Sequence, residues 1–258
     1  MVKRPRRNVK IIFPSLITSF SMISGFAAIL FAIDDKVWIS SYLILVASVL
    51  DGLDGKVARL TNTASEFGIQ YDSMSDLVAF GVAPAVIYYC HFIYHRPVDQ
   101  LFILLPIMFL LCGAIRLARF NVTASIYGKA FFTGMPIPAA AVILSLWPPL
   151  ERWAELHSSW APLKSALAYE NSFPISVVFV VILSLSMIST LKFDTFDQFW
   201  FKKYRNKSTR YSVFALFHAL ILIHFIIYMT AVSIYYMVAM YGRALVQKVS
   251  RSEQITSS

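Results

Sequence analysis

Four aspartates stand close together in a part of the chain that is otherwise largely apolar. They form two pairs, Asp51 with Asp54 and Asp72 with Asp76. The spacings of three and four residues place each pair on one face of a helix. A carboxylate at membrane depth is energetically costly, so ionisable residues in such a position predict a function. Two helices that each present two carboxylates can converge on one pocket.

These carboxylates predict a metal site. Four neighbouring carboxylates repel one another strongly unless cations lie between them. Oxygen ligands without His or Cys favour a hard cation such as Mg²⁺ or Mn²⁺ over zinc. We therefore predict that two divalent ions bind the four side chains, which are Asp51, Asp54, Asp72 and Asp76.

The residues beside the aspartates predict what the metal site serves. Gly55 and Ala58 continue the face of the first pair, and Gly68 precedes the second pair by one turn. Small residues let a helix or a flat ligand approach closely. Arg59 can hold a phosphate through two hydrogen bonds. This combination is typical of a diphosphate site, where paired metals can stabilise the attacking and leaving oxygens of a displacement at phosphorus.

A second candidate group lies further along the chain. Arg116 and Arg119 are three residues apart and share one helix face. Because arginine pairs strongly with carboxylate or phosphate, we predict that they bind such a group on a substrate, with Arg116, deeper in its span, the better candidate. The alternative is that both mark the cytoplasmic boundary of the membrane. Asn121 follows them and could contact a substrate.

The composition predicts an all-α, polytopic transmembrane helical bundle. Of the 258 residues, 58% are hydrophobic and 14% are charged, whereas soluble domains have about 25% charged residues. Apolar runs of about 20 residues can cross a bilayer, and backbone groups in lipid must bond internally, which favours helices. We expect one membrane domain over 1–258, with spans near 13–33, 37–58, 72–95, 100–119, 131–150, 174–191 and 212–240. The last run is one tilted helix or a hairpin, and 151–173 is a loop or a surface helix.

The distribution of charge predicts the orientation. The net charge is +9, and basic residues cluster at the ends of apolar runs. This pattern favours the positive-inside rule and anionic headgroups rather than nucleic acid. The basic segments 3–10 and 192–210 then lie in the cytoplasm, together with the aspartate-bearing end of the second span. The run 13–33 lacks a convincing cleavage site, so we interpret it as a retained span.

At the aspartates the chain resembles the CDP-alcohol phosphotransferase family. The family motif D-x2-D-G-x2-A-R-x(7,8)-G-x3-D-x3-D is complete, at Asp51, Asp54, Gly55, Ala58, Arg59, Gly68, Asp72 and Asp76. The resemblance implies a core of six transmembrane helices over about 13–191, usually in a homodimer, with an additional helix or hairpin at about 212–240. It also implies transfer of a phosphatidyl group from a CDP-linked lipid to an alcohol.

The resemblance also implies roles for individual residues. Asp51, Asp54 and Asp72 would ligate the metals, while Asp76 would join them or act as the base on the incoming hydroxyl. Asp72 and Asp76 are thus the expected catalytic residues. The expected nucleotide-binding residues are Gly55, Ala58, Arg59, Gly68, Asp54 and Thr18. The stretch around Thr18 departs from the pattern at Ser15 and Ser21, where serine-type members of the family commonly have Asn.

Three further stretches predict the acceptor alcohol. Segments 80–85, 116–121 and 132–141 are similar to those of serine-using members of the family. We therefore expect CDP-diacylglycerol and L-serine as substrates, with Arg116, Arg119 and Asn121 around the serine. Choline, glycerol 3-phosphate or an inositol compound are alternative acceptors. A divalent cation transporter or a non-catalytic scaffold is the alternative from another class. Size and resemblance indicate a bacterial inner membrane, with the site facing the cytoplasm.

Overall fold

The computed structural model describes residues 12–61, 65–94, 96–127, 134–157, 161–190, 229–239 and 241–242. Over these ranges the regular structure is helical, which confirms the all-α prediction. The first half consists of α1 (Ile12–Ile33), α2 (Val37–Leu60), α3 (Glu66–Asp76), a π-helical segment (Leu77–Val82), α4 (Ala83–Phe92) and a 3₁₀ turn (Gln100–Ile103). The second half consists of α5 (Leu104–Tyr127), α6 (Ile137–Ser145), α7 (Trp147–Leu156), α8 (Ala161–Leu167), α9 (Tyr169–Ile188) and α10 (Met229–Ala239).

Five helical stretches are long and apolar enough to cross a membrane. They are Ser15–Ile33, Val37–Ala58, Glu66–Phe92, Gln100–Val122 and Tyr169–Ile188. Each coincides with one of the predicted spans, and together they are consistent with a polytopic membrane bundle. The third stretch begins earlier than predicted, because the Ser65 side chain caps α3 by accepting a 3.0 Å hydrogen bond from the backbone N–H of Gly68.

The predicted fifth span, 131–150, is wrong as a single helix. Residues 131–133 lie outside the described ranges, and the remainder divides into α6 and α7, which meet at Leu146. Pro148 and Pro149 lack the backbone N–H that a continuous helix needs, but they fit the first turn of a new helix, where the N–H groups have no intrahelical partner. α6 is therefore only nine residues long.

The predicted segment 151–173 contains the end of α7, all of α8 and the beginning of α9. The basic segment 192–210 lies outside the described residues, as does most of the predicted run 212–240. Of that run the structure describes α10. The choice between one tilted helix and a hairpin therefore stays a prediction.

Close packing joins the helices that carry the aspartates. α1 packs extensively along α2, and the hydroxyls of Ser21 and Ser24 on α1 donate to the carbonyls of Ala47 (3.0 Å) and Leu43 (2.8 Å) on α2. On another face of α1, Gly25 lies so close to Ala79 of the π-helical segment that a Cβ would collide with it. Hydroxyl bonds and small residues are the usual means of holding helices together in lipid. α1 thereby holds α2 next to the third span.

The π-helical segment begins directly after Asp76. Such segments are rare, usually a single turn long, and frequent at functional sites. Its residues Ala79, Phe80 and Gly81 are buried, so the irregular backbone lies inside the protein. The segment changes the direction of side chains between Asp76 and α4.

Candidate active site

Three of the four predicted aspartates converge. Asp51 of α2 and Asp72 and Asp76 of α3 each offer one carboxylate oxygen, and these oxygens lie within 4.8 Å of one another. The carboxyl groups of Asp51 and Asp76 are close enough to share a hydrogen bond. Oxygens bound at about 2.0–2.1 Å on opposite sides of a Mg²⁺ ion are about 4 Å apart, so this grouping has the dimensions of a divalent-cation site.

The fourth aspartate is turned toward α1. Asp54 is buried, and its Oδ2 accepts a 2.6 Å hydrogen bond from the Thr18 hydroxyl. The backbone carbonyl of Thr18 accepts in turn from the Ser75 hydroxyl at 3.1 Å. Asp54 still interacts electrostatically with Asp51 and Asp72. Thr18, predicted to contact the nucleotide, is thus part of the site through Asp54.

Arg116 of α5 is a buried cation next to the carboxylates. Its residue surface is 7% exposed, and it interacts electrostatically with Asp76 and Asp51. Its guanidinium lies 5.8 Å from the centroid of the Phe120 ring. The Nε atom of Arg116 is buried and has no hydrogen-bond partner among the described residues. Because buried donors are normally paired, this side chain is suited to receive an anion.

Arg119 lies one turn away from Arg116, but its side chain makes different contacts. Its guanidinium donates to the carbonyls of Ile188 (2.9 Å), Ser189 (3.1 Å) and Met187 (3.4 Å) at the end of α9. Carbonyls at a helix C-terminus have no intrahelical donor, and a cation there is stabilising. The structure therefore gives Arg119 the task of holding α9 to α5.

Asn121 joins α5 to α3. Its side-chain amide donates to Ser73 Oγ at 3.0 Å and to Gln70 Oε1 at 3.3 Å. Gln70 and Ser73 lie on either side of Asp72 in the sequence. Asn121 therefore contacts α3 close to the acidic group.

The small residues of the motif line α2 and α3. Gly55 and Ala58 are partly buried on α2, and Gly68 is partly buried in the first turn of α3. A Cβ at Gly68 would lie 3.2 Å from the capping Ser65 hydroxyl, so the cap favours glycine there. Arg59 belongs to α2, but its side chain lies outside the described part of the structure.

Sequence reasoning missed two tyrosines near the site. The hydroxyls of Tyr71 and Ser19 lie 2.8 Å apart and form another link between α3 and α1. The sequence could have indicated this contact, because Tyr71 directly precedes Asp72 and Ser19 directly follows Thr18. Tyr236 of α10 is buried and interacts electrostatically with Arg116. Its position in a long apolar run gave no signal.

Comparison with known proteins places this architecture in a family. Residues 11–161 match the model of the CDP-alcohol phosphatidyltransferase family, which is more than half of the chain and includes every aspartate of the site. This chain belongs to the CDP-alcohol phosphatidyltransferase family. Members of this family generally use divalent metals, and the acidic group of Asp51, Asp72 and Asp76 is suited to bind them.

Several curated relatives are similar to this chain. A CDP-diacylglycerol–serine O-phosphatidyltransferase of Helicobacter pylori is 36% identical over 187 residues, which cover 72% of this chain and 73% of the relative. The enzyme of the same name from Mycobacterium leprae is 42% identical over 150 residues, covering 55% of this chain and 49% of the relative. An archaetidylserine synthase of Methanothermobacter thermautotrophicus is 38% identical over 152 residues, which cover 58% of this chain and 63% of the relative.

Proposed function

We propose that this protein transfers the phosphatidyl group of CDP-diacylglycerol to the hydroxyl of L-serine, forming phosphatidylserine and CMP. The observation that carries the proposal is the convergence of Asp51, Asp72 and Asp76 beside the buried guanidinium of Arg116. Family membership supports the reaction, and relatives named as serine phosphatidyltransferases support the acceptor.

The acidic group is proposed to bind two divalent ions, Mg²⁺ or Mn²⁺. Asp51, Asp72 and Asp76 would hold them, together with the side of Asp54 that Thr18 does not occupy. Such carboxylates are the ligands that these hard cations prefer. When bound, the ions supply positive charge that offsets the charge of the diphosphate and of the leaving phosphate.

The acidic residues also provide the proton acceptor. Asp76 takes the proton from the serine hydroxyl, and the hydroxyl oxygen attacks the phosphorus that carries the lipid. The bond from this phosphorus to the bridging oxygen breaks, and CMP leaves with the electron pair. Asp76 suits this role because it interacts both with the other carboxylates and with Arg116, beside which the acceptor is expected.

Arg116 is proposed to orient the acceptor. The serine carboxylate pairs with this guanidinium, whose buried Nε has no partner within the described ranges of the chain. Choline has no carboxylate and is usually recognised by an aromatic cage, so it suits this pocket less. Arg119 supports Arg116 by fixing α5 against α9, and Asn121 supports Asp72 through Ser73.

The remaining assignments complete the proposal. The cytidine rests against the small residues Gly55, Ala58 and Gly68, and Arg59 contributes to binding the nucleotide. The protein acts as a homodimer in a bacterial inner membrane. Its site opens to the cytoplasm, where serine and the CDP group of the lipid are accessible.

Release of CMP by the purified protein tests this function. Detergent-solubilised protein with CDP-diacylglycerol and Mg²⁺ or Mn²⁺ is offered serine, choline, inositol, inositol 1-phosphate or glycerol 3-phosphate separately. Serine alone should drive CMP release, and Asp76→Asn should abolish it. Asp34→Asn is the matched control, since Asp34 is exposed at the opposite end of α2 beside Lys36. Release with another acceptor would refute serine, and metal flux without CMP release would favour a transporter.

A further inference from the structure

One turn of α1 contacts both helices that carry the aspartates. The Thr18 hydroxyl donates to Asp54 on α2 at 2.6 Å, and the Thr18 carbonyl accepts from the Ser75 hydroxyl on α3 at 3.1 Å. The hydroxyl oxygen of the next residue, Ser19, lies 2.8 Å from the hydroxyl of Tyr71 on α3. This turn of α1 therefore connects the two helices from which the carboxylates of the acidic group come.

The hydrogen bond between Tyr71 and Ser19 has a defined direction. A serine hydroxyl has a single proton, and Ser19 donates it to the carbonyl of Ser15 at 2.7 Å. The phenolic hydroxyl of Tyr71 therefore donates to Ser19 Oγ. The ring of Tyr71 is also stacked on that of Phe67, with 5.8 Å between the centroids and an interplanar angle of 7°. Two contacts thus hold Tyr71 in one orientation.

The position of Tyr71 on α3 connects this hydrogen bond to the carboxylates. Tyr71 and Ser75 are four residues apart, so both bonds to α1 come from one face of α3. Asp72 and Asp76 each directly follow one of these residues, and their carboxylates meet that of Asp51 on α2. A rotation of α3 relative to α1 would therefore change the distances between the carboxylate oxygens, which lie within 4.8 Å of one another.

We propose that Tyr71 is a positioning residue that sets the affinity of the acidic group for divalent metal. Mg²⁺ tolerates little departure from octahedral geometry, so its binding depends on how well the carboxylate oxygens are placed. Residues that orient metal ligands without touching the metal can change its affinity strongly. Tyr71 acts in this way through Ser19, and it occupies a position that the family motif leaves unspecified. This inference rests on the metal site of the proposed function.

The test compares Tyr71→Phe with Tyr169→Phe. Tyr71→Phe keeps the ring and removes only the hydroxyl. Tyr169→Phe removes a similar bond between helices, because the Tyr169 hydroxyl on α9 donates to the carbonyl of Phe92 at 3.0 Å, at the far end of the third span. Mn²⁺ is titrated into the purified protein in detergent and followed by electron paramagnetic resonance. The Kd should rise about fivefold in Tyr71→Phe, the factor that one ordinary hydrogen bond contributes, and should not change in Tyr169→Phe.

Enzyme kinetics and a double variant extend the test. In Tyr71→Phe the Mg²⁺ concentration for half-maximal CMP release should rise by a similar factor, while kcat at saturating Mg²⁺ stays within about twofold of wild type. Tyr71→Phe combined with Ser19→Ala should bind Mn²⁺ about as weakly as the weaker single variant, because both changes remove the same bond. Fully additive effects of the two changes would contradict the proposed route through Ser19.

Melting temperatures in the presence of a chelator separate metal binding from folding. A higher Mn²⁺ Kd in Tyr71→Phe, with a melting temperature no lower than that of Tyr169→Phe, supports the proposal. An equal rise in the Kd of Tyr169→Phe would overturn it, since that rise would reflect a general loss of stability. If wild-type protein and Tyr71→Phe bind Mn²⁺ equally, only this inference fails. If wild-type protein binds no Mn²⁺, the proposed metal site fails first and this inference falls with it.

Discussion

Thr18 and Asp54 show how one hydroxyl can set the arrangement of an acidic site. Both side chains are buried, and their 2.6 Å hydrogen bond removes one oxygen of Asp54 from the group formed by the other three aspartates. A buried carboxylate that loses its donor costs about 1–3 kcal/mol or more. Thr18 therefore fixes the orientation of Asp54.

Replacing the Thr18 hydroxyl should weaken the site. In Thr18→Val, which keeps the shape, we expect kcat/KM for CDP-diacylglycerol to fall at least about tenfold, because Asp54 loses its buried donor. Thr18→Ser keeps the hydroxyl and should retain most of the activity. CMP release across a Mg²⁺ titration measures both variants. Thr61→Val is the control, since Thr61 is exposed and its hydroxyl donates to the carbonyl of Val57 in the helix that precedes it. Equal activity of Thr18→Val and wild type would contradict the assigned role.

The two arginines of α5 should respond differently to substitution. Arg119→Ala removes the donors for three carbonyls at the end of α9 and should lower the melting temperature by several degrees. Arg116→Ala should raise the serine KM more than tenfold, since it removes the cation that pairs with the carboxylate. Substrate kinetics and thermal melting of both variants distinguish the roles. A serine-specific defect in Arg119→Ala, with Arg116→Ala unaffected, would reverse the assignment.

For individual residues, the sequence identifies candidate functional side chains more readily than it identifies the groups that they contact. Asp51, Asp72 and Asp76 are conspicuous because charges in apolar runs are costly, and their helical spacing predicts that they converge. The contact of Arg119 is not predictable in this way. Its acceptors lie 68 to 70 residues further along the chain, and they are backbone carbonyls, which carry no side-chain signal.

The element that determines the position of Asp76 is the joint between α3 and the π-helical segment. α1 supports this joint through the close contact of Gly25 with Ala79. An additional methyl group here must push α1 away from the segment that follows Asp76, because the colliding atoms include backbone. Overpacking of this kind costs about 1–3 kcal/mol.

Gly25→Ala should therefore impair both stability and catalysis. We expect a lower melting temperature and a fall in kcat of about tenfold, because Asp76 moves relative to Asp51 on α2. Gly52→Ala is the matched control for stability. A Cβ at Gly52 meets nothing within 4 Å, and alanine favours a helix over glycine, so its melting temperature should be unchanged or higher. A wild-type melting curve for Gly25→Ala would show that the contact is not tight.

The helical elements follow from the sequence where apolar length alone decides. α1, α2, α5 and α9 coincide with predicted spans because each contains a long apolar run. The prediction at 131–150 was wrong because hydropathy continued across Pro148 and Pro149, which end one helix and begin another. No hydrophobic pattern in the sequence predicts the π-helical segment, because its formation depends on how Asp76 and Ala79 pack against neighbouring helices.

At the scale of the whole molecule, the position of the aspartates along α2 determines the side of the membrane from which substrates reach the site. Asp51 and Asp54 lie in the half of α2 that leads to Thr61, while Asp34 and Lys36 lie at the other end. A helix of 24 residues is about 36 Å long, enough to separate these ends by a bilayer. The basic segment 3–10 favours the cytoplasm for the start of the chain, and therefore for the end of α2.

Cysteine labelling tests this orientation. In a background with Cys90 and Cys112 replaced by alanine, Thr61→Cys should react with a membrane-impermeant maleimide only after the bacterial inner membrane is opened. Asp34→Cys should react in intact spheroplasts. Both native positions are exposed, so access rather than burial decides the result. The reverse pattern would place the site on the outer side of the membrane and contradict the positive-inside prediction.

The formation of phosphatidylserine by the purified protein tests the central claim most directly. Protein, CDP-dioleoylglycerol, Mg²⁺ or Mn²⁺ and isotopically labelled serine are incubated in detergent, and CMP and labelled lipid are quantified together by mass spectrometry. We predict equal amounts of CMP and phosphatidylserine from wild-type protein, and neither product from Asp76→Asn or after chelation of the metal. CMP without labelled lipid, or undiminished phosphatidylserine from Asp76→Asn, would contradict the account.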